Sequence, residues 1–174
     1  NPLATISGRA QMLLKDETDP ERRQSLLTIG AQALRIRDMI GDLMLFARPP
    51  QPRLERVEAA SAIERAVSSV QELARDRNCT VELHAENNFD LRADPTQFQI
   101  VITNLLRNAI EAQRAAAKII VSLDRAVRSD VPLAVISVAD PGPGFNDSER
   151  EHLFDPFFSG RQAGRGLGFG LPKC

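Results

Sequence analysis

Leu3, Ile6, Ala10 and Leu13 recur at 3-4-3 spacing. After a polar break over residues 15–21, Leu26, Ile29, Ala33, Ile36, Ile40, Leu43 and Ala47 continue the alternation. A seam of this kind held for three heptads predicts a helical hairpin. Thr18-Asp19-Pro20-Glu21 supplies an acid cap followed by proline at the first position of the second helix. Prolines 49, 50 and 52 then stop the helix, because proline lacks the N–H and clashes with the preceding turn. The pattern therefore sets a hairpin at 1–48 and a proline-rich linker at 49–56. Two helices with one narrow apolar seam make a poor folding unit, so a second hairpin is expected to complete a dimeric four-helix bundle. The alternative is a hairpin packed on its own C-terminal domain.

Beyond the linker the pattern alternates. Ala60–Arg77 reads as helix, and Cys79–Ala85 as a strand with Val81 and Leu83 on one face. Asp94-Pro95 opens a long helix to about Ala117, and Lys118–Leu123 and Leu133–Ala139 are β-branched strands. A turn-rich segment Asp140–Phe145 and a short helix over Asp147–Leu153 lead to Gly/Phe-rich sequence ending at Cys174. Helices interleaved with strands predict an α/β sandwich over 57–174, and an α+β chain as a whole. Neither an internal repeat nor a low-complexity tract interrupts it.

Length and composition narrow the function classes. At roughly 150 residues per domain, 174 residues allow one large domain or two small ones. Apolar residues at 43% and charged residues at 26% are ordinary for a folded chain. Residues 1–56 carry nine Lys/Arg against seven Asp/Glu, and the remainder thirteen against sixteen, so nucleic acid is not an expected partner. No apolar run approaches the ~18 residues that span a bilayer, and the first residues lack a signal-peptide pattern. Membrane contact is expected only through segments outside this chain. Cys79 and Cys174 are far apart and outside any CxxC, which fits a reducing, cytoplasmic setting rather than a disulfide or zinc scaffold. Five of the eight phenylalanines fall between Phe145 and Phe169 and single that stretch out.

The chain has no G-x-x-x-x-G-K-[ST] and no strand-to-helix G-x-G-x-x-G, which excludes P-loop and Rossmann sites. Instead, Asp140-Pro-Gly142-Pro-Gly144 follows a strand, and Gly164-Arg-Gly166-Leu-Gly168-Phe-Gly170 places glycine at every second position. Such spacing suits backbone that passes close to a ligand or moves. The first motif alone reads equally well as a tight turn. In the long helix Asn104 and Asn108 share a face, with Glu111 a turn beyond. The other face is apolar: Phe98, Val101, Ile102, Leu105, Leu106, Ala109 and Ile110. Amide oxygens are hard ligands suited to Mg²⁺ or to water around phosphates, although an asparagine pair on a surface needs no ligand.

Taken together these motifs resemble those of the sensor histidine kinases of two-component systems. Asn104-Leu-Leu-Arg-Asn108-Ala-Ile-Glu-Ala is similar to their N box, Asp140–Gly144 to the first glycine box, and Phe154-Asp-Pro-Phe157-Phe158 to the F box. Gly164–Gly170 is similar to the second glycine box, and Asn1-Pro2-Leu3 with its hairpin to the end of the H box and the dimerisation and phosphotransfer domain. The order and connecting lengths agree, and N-A-I-E-A points toward the nitrogen-regulation branch. The resemblance implies a Bergerat-type ATP-binding fold over 57–174, incomplete at its C-terminus. It also implies a phosphoacceptor histidine four residues before Asn1-Pro2, upstream of this chain, which neither His84 nor His152 replaces.

The resemblance further implies an activity: autophosphorylation on histidine from Mg²⁺·ATP, then transfer to an aspartate in the receiver domain of a response regulator. Asp140 would accept from the adenine amine, with Gly142 and Gly144 allowing close approach. Asn108 would ligate Mg²⁺, and Asn104 would support the same network. Phe157 belongs to the F box. Arg161 and Arg165 lie in a lid over 160–170, where Gly164, Gly166, Leu167 and Gly168 would meet the phosphates at a helix start. Asn1 sits where the family orients water for dephosphorylating the regulator. Two rivals stand beside this reading. A hydrolytic ATPase of the same superfamily would carry a basic glutamate where this chain has Asn104, and the other rival is a silent dimerisation and docking module.

Overall fold

The computed structural model describes residues 2–85, 88–158, 168–172 and 174. The chain divides into two compact units, Asn1–Pro50 and Gln51–Cys174.

The first unit is a hairpin of α1 (Pro2–Asp16) and α2 (Pro20–Ala47). The Asp19 carboxylate accepts from the Arg22 N–H at 2.9 Å and Pro20 occupies the first turn of α2, so the cap expected from sequence is in place. Arg23 Nη1 donates to the carbonyls of Leu14 and Glu17, at 3.1 and 2.8 Å, satisfying acceptors that the end of α1 leaves unpaired. Small residues mediate the contact between the helices: Ser7, Ala10, Gly30 and Ala33 are buried. The larger members of the seam are not. Ile29, Ile36, Ile40 and Leu43 remain 43–48% exposed, a continuous apolar stripe along α2.

The second unit runs β1 (Glu55–Glu58), α3 (Ala59–Ser69), α4 (Gln71–Asp76), β2 (Cys79–His84), β3 (Asp90–Ala93), α5 (Pro95–Ala112), β4 (Ala117–Arg128), β5 (Val131–Ala139) and α6 (Asp147–Glu151). The main sheet has the order β2-β4-β5, parallel between β2 and β4 and antiparallel between β4 and β5; β1 and β3 form a separate antiparallel ribbon. Ile63 and Ala66 of α3 and Ile102, Leu106 and Ile110 of α5 pack on Ile119, Val121 and Leu123 of β4. Helices thus cover one face of the sheet, giving a two-layer sandwich. Among the described residues no helix is long and apolar enough to cross a membrane.

Several boundaries differ from those read off the pattern. The single helix over 60–77 is two helices, broken at Val70, which is buried and turned out of the helical region (φ −108°, ψ 3°). Packing of this β-branched side chain outweighs continuity of the helix. The linker overlaps β1, whose one apolar side chain, Val57, pairs with Leu91 across the ribbon. The long helix stops at Ala112 rather than Ala117, because Ala117 is taken into the sheet opposite Cys79. The β4–β5 hairpin continues beyond Leu123 through a turn in which Ser129 and Asp130 both have positive φ, as a two-residue turn matched to strand twist requires.

Candidate functional site

Helix α5 positions most of the site. Its N-terminus is held by Asp94, whose Oδ1 accepts from the N–H groups of Thr96 and Gln97 at 2.9 and 3.0 Å and whose Oδ2 accepts from Arg53 N–H at 2.9 Å. These donors, Gln97 foremost, hold the Asp94 carboxyl below the usual carboxylate value. Ile102, Leu106, Ala109 and Ile110 turn into the core, which fixes the rotation of the helix and leaves Asn104, Asn108 and Glu111 half-buried on the other side. Arg107 pairs with Glu111 at 3.4 Å, one turn apart. The Nδ2 of Asn104 is buried and has no hydrogen-bond partner among the described residues. Beside Asn108 lies Gly170, where a Cβ would sit 3.6 Å from both amide atoms. The thiol of Cys174 reaches the Gly170 carbonyl at 3.2 Å.

At the other end of α5 stands Asp140, directly after β5. Its Oδ1 accepts from Gly142 N–H at 2.8 Å and from Gln113 Nε2 at 2.9 Å, and its Oδ2 has no protein partner among the described residues. The first bond closes an Asx turn. A Cβ at position 142 would collide with the Asp140 carboxylate and sit 3.2 Å from Gln113 Nε2, so a side chain there would displace the carboxylate from this arrangement. Gly144 has φ +69°, also a glycine conformation. Gln113 is a member of the site that no local pattern reveals. It is the C-cap of α5, and its Nε2 also donates to the Ala109 carbonyl at 2.7 Å. A cleft of about 350 Å³ opens next to this link, lined by Ala112, Gln113, Pro141, Gly142 and Pro143. A second cleft of about 450 Å³, around Arg56, Glu58 and Asp90, contains none of the residues singled out from sequence.

The aromatic segment meets the end of the second glycine motif. Phe157 has φ +68° and its ring contacts that of the buried Phe169. Gly168 also has positive φ, and a Cβ there would strike the Phe158 carbonyl and come within 2.6 Å of the Phe157–Phe158 peptide. Residues 170–172 form a turn, and the helix start expected at residues 166–168 lies largely outside the described residues. Pro172 disfavours helical backbone at Leu171. Asn1, Arg161, Gly164, Arg165, Gly166 and Leu167 lie outside the described residues.

Both histidines are engaged away from the amide face of α5. His152 Nδ1 lies 2.6 Å from Asp155 Oδ2, and its ring stands against Phe158. His84 is 3.6 Å from Glu82 at the sheet surface, where the hydrogen bond from Lys118 holds the Glu82 carboxyl below its usual value.

Comparison with known proteins gives two family matches. Residues 93–174 match the model described as histidine kinase-, DNA gyrase B-, and HSP90-like ATPase, and residues 1–52 match the His Kinase A (phospho-acceptor) domain. The sensor protein kinase PilS of Pseudomonas aeruginosa is 30% identical over 178 residues, an alignment covering 99% of this chain and 33% of PilS. The sensory histidine kinase/phosphatase NtrB of Klebsiella oxytoca is 31% identical over 182 residues, covering 99% of this chain and 51% of NtrB. The chain thus spans about a third to a half of the length of these relatives. The crystal structure of full-length ShkA in complex with AMPPNP shares the fold, with a TM-score of 0.80 at 19% identity over 99% of this chain and 36% of that one.

Proposed function

The chain belongs to the sensor histidine kinases, and from that membership we propose that residues 57–174 bind Mg²⁺·ATP and deliver its γ-phosphoryl group to a histidine carried by the hairpin domain. The phosphoryl group then passes to an aspartate of a response regulator. The observation that carries this reading is the buried, unpartnered Nδ2 of Asn104. Buried donors are almost always paired, and leaving one unpaired costs about 1–3 kcal/mol. A phosphate oxygen, or a water held between phosphates and metal, supplies the acceptor it lacks.

The remaining residues take consistent parts. The amide oxygen of Asn108, one turn along, is a hard ligand suited to Mg²⁺. Bound Mg²⁺·ATP supplies the transferable phosphoryl group together with neutralisation of its charge. Asp140 offers Oδ2 to the adenine amine; guanine would set a carbonyl against it and leave the carboxylate unpaired. Gly164, Gly166, Leu167 and Gly168, with Arg161 or Arg165, would contact the phosphates, and Phe157 belongs to the aromatic segment that precedes them. Asn104 has no useful basicity, so it cannot activate water as a hydrolase would, and the phosphoryl group is kept for histidine.

Residues 1–52 contain no histidine, and the reading puts the acceptor upstream of Asn1 in the intact domain. The exposed stripe of α2 pairs two hairpins into the homodimeric bundle that presents it, in the cytoplasm where ATP and receiver domains are found. Asn1 orients water for dephosphorylating the regulator, a second activity of the kind named for NtrB. The test uses the full-length protein with γ-labelled ATP. Acid-labile, base-stable phosphate on the protein is expected, lost in Asn108→Ala. Rapid release of free phosphate without a phosphoprotein would favour the hydrolase, and no reaction at all would favour the silent module.

A further inference from the structure

We propose that Gln113 is a positioning residue for base selection: it fixes the Asp140 carboxylate so that one oxygen alone is presented to the base. This deepens the reading of Asp140 given above and rests on it. The amide nitrogen of Gln113 faces two acceptors, the Ala109 carbonyl at 2.7 Å and Asp140 Oδ1 at 2.9 Å. Only the NH₂ end of the amide can face both, so its orientation is chemically determined. The Ala109 carbonyl is available because the backbone N–H of Gln113 turns instead to the Ile110 carbonyl, at 3.2 Å, as the helix ends. The side chain thereby spends one donor on the last turn of α5 and the other on a carboxylate 27 residues away.

Two donors on Oδ1 do more than one. With Gly142 N–H alone, the carboxylate could swing about that single bond. With Gln113 added, its plane is set from two directions, and Oδ2 remains as the acceptor with no protein partner among the described residues. A ligand amine then meets an oxygen already aimed, and no ordering cost is left for binding to meet. A ligand carbonyl meets the same oxygen, which cannot turn aside. Because Gln113 is rooted in α5, the base-reading carboxylate is also tied to the helix that carries Asn104 and Asn108. The base end and the phosphate end therefore hold a fixed relation.

The test compares calorimetric affinities of the full-length protein for ATP and for purine riboside triphosphate, which lacks the exocyclic amine. The unaltered protein should prefer ATP by about tenfold, the scale of one charge-assisted hydrogen bond. Gln113→Met keeps the length without the donors, and Gln113→Glu keeps the shape but turns an acceptor on Asp140. Both should lose most of that preference by weakening ATP alone, Gln113→Glu the more, while affinity for the amine-free analogue stays within about twofold. Gln113→Lys, which restores donors, should retain the preference. Equal weakening of both ligands would reduce Gln113 to a helix cap and overturn the proposal, as would an undiminished preference in Gln113→Glu. Absence of any preference in the unaltered protein would overturn the reading of Asp140 itself, and this role with it.

Discussion

The rings of Phe157 and Phe169 meet edge to face, centroids 4.8 Å apart and planes inclined at 70°. Their environments differ: Phe169 is 3% exposed and Phe157 68%. The buried ring is the anchor and the exposed one is what it holds. Phe169→Ala should therefore lower stability by about 3–4 kcal/mol, and Phe157→Ala by about 1 kcal/mol, the worth of an aromatic pair with little burial. Urea unfolding followed by far-UV circular dichroism separates the two; equal losses would mean that both rings are core.

Replacing Asn104 by leucine keeps the branching of the side chain and removes its buried, unpartnered donor. The ligand-free protein should become more stable by about 1 kcal/mol. The rise in Tm that ATP confers on the unaltered protein should disappear. A destabilised, ATP-responsive Asn104→Leu variant would show that the amide has a structural partner, removing the observation on which the proposed function stands.

Ile36 and Ile40 leave 43% and 47% of their surface uncovered in one hairpin. If they form the bundle seam, Ile36→Asp with Ile40→Asp buries unpaired charge between two chains at a cost of several kcal/mol. Sedimentation should show a dimer for the unaltered protein and monomers for the double variant; a monomeric unaltered protein would overturn the bundle.

Asp94 gives the second unit an acid-sensitive element. Its carboxyl is held below the ordinary 3.8 by backbone donors from Gln97, Arg53 and Thr96 that exist only in the folded chain. A carboxyl with a depressed folded value stabilises above its unfolded pKa, and the contribution fades as pH falls through the folded value. Asp94→Asn can still accept at the helix start but cannot titrate. Its unfolding midpoint should fall less steeply than that of the unaltered protein as pH is lowered below about 4.

Much of this architecture is legible because it is local. The caps at Asp19 and Asp94 are each an acid followed by proline, and the division of α5 into apolar and amide faces is a matter of spacing within one helix. What the pattern hides is non-local or very short. β1 and β3 have four residues each, with too few apolar positions to show a period; they exist because Val57 and Leu91 find each other across 34 residues. The stop at Ala112 runs against an alanine-rich stretch of high helix propensity, and only the partner strand β2 explains it. Gln113 is invisible for the same reason. Nothing near it in sequence says that it will meet Asp140.

Because α5 is rigid and rooted in the core, it also acts as a gauge of length and phase. Gln113 lies nine positions beyond Asn104, about 13.5 Å of helix axis at ~1.5 Å per residue. One residue inserted between them would advance everything downstream by that same ~1.5 Å and rotate it by about 100°. The amide face and the stripe of Leu106, Ala109 and Ile110 would leave register together, so the fold would fail along with the site. Substitution can tune what this helix binds, but its span tolerates no change that the core does not also feel.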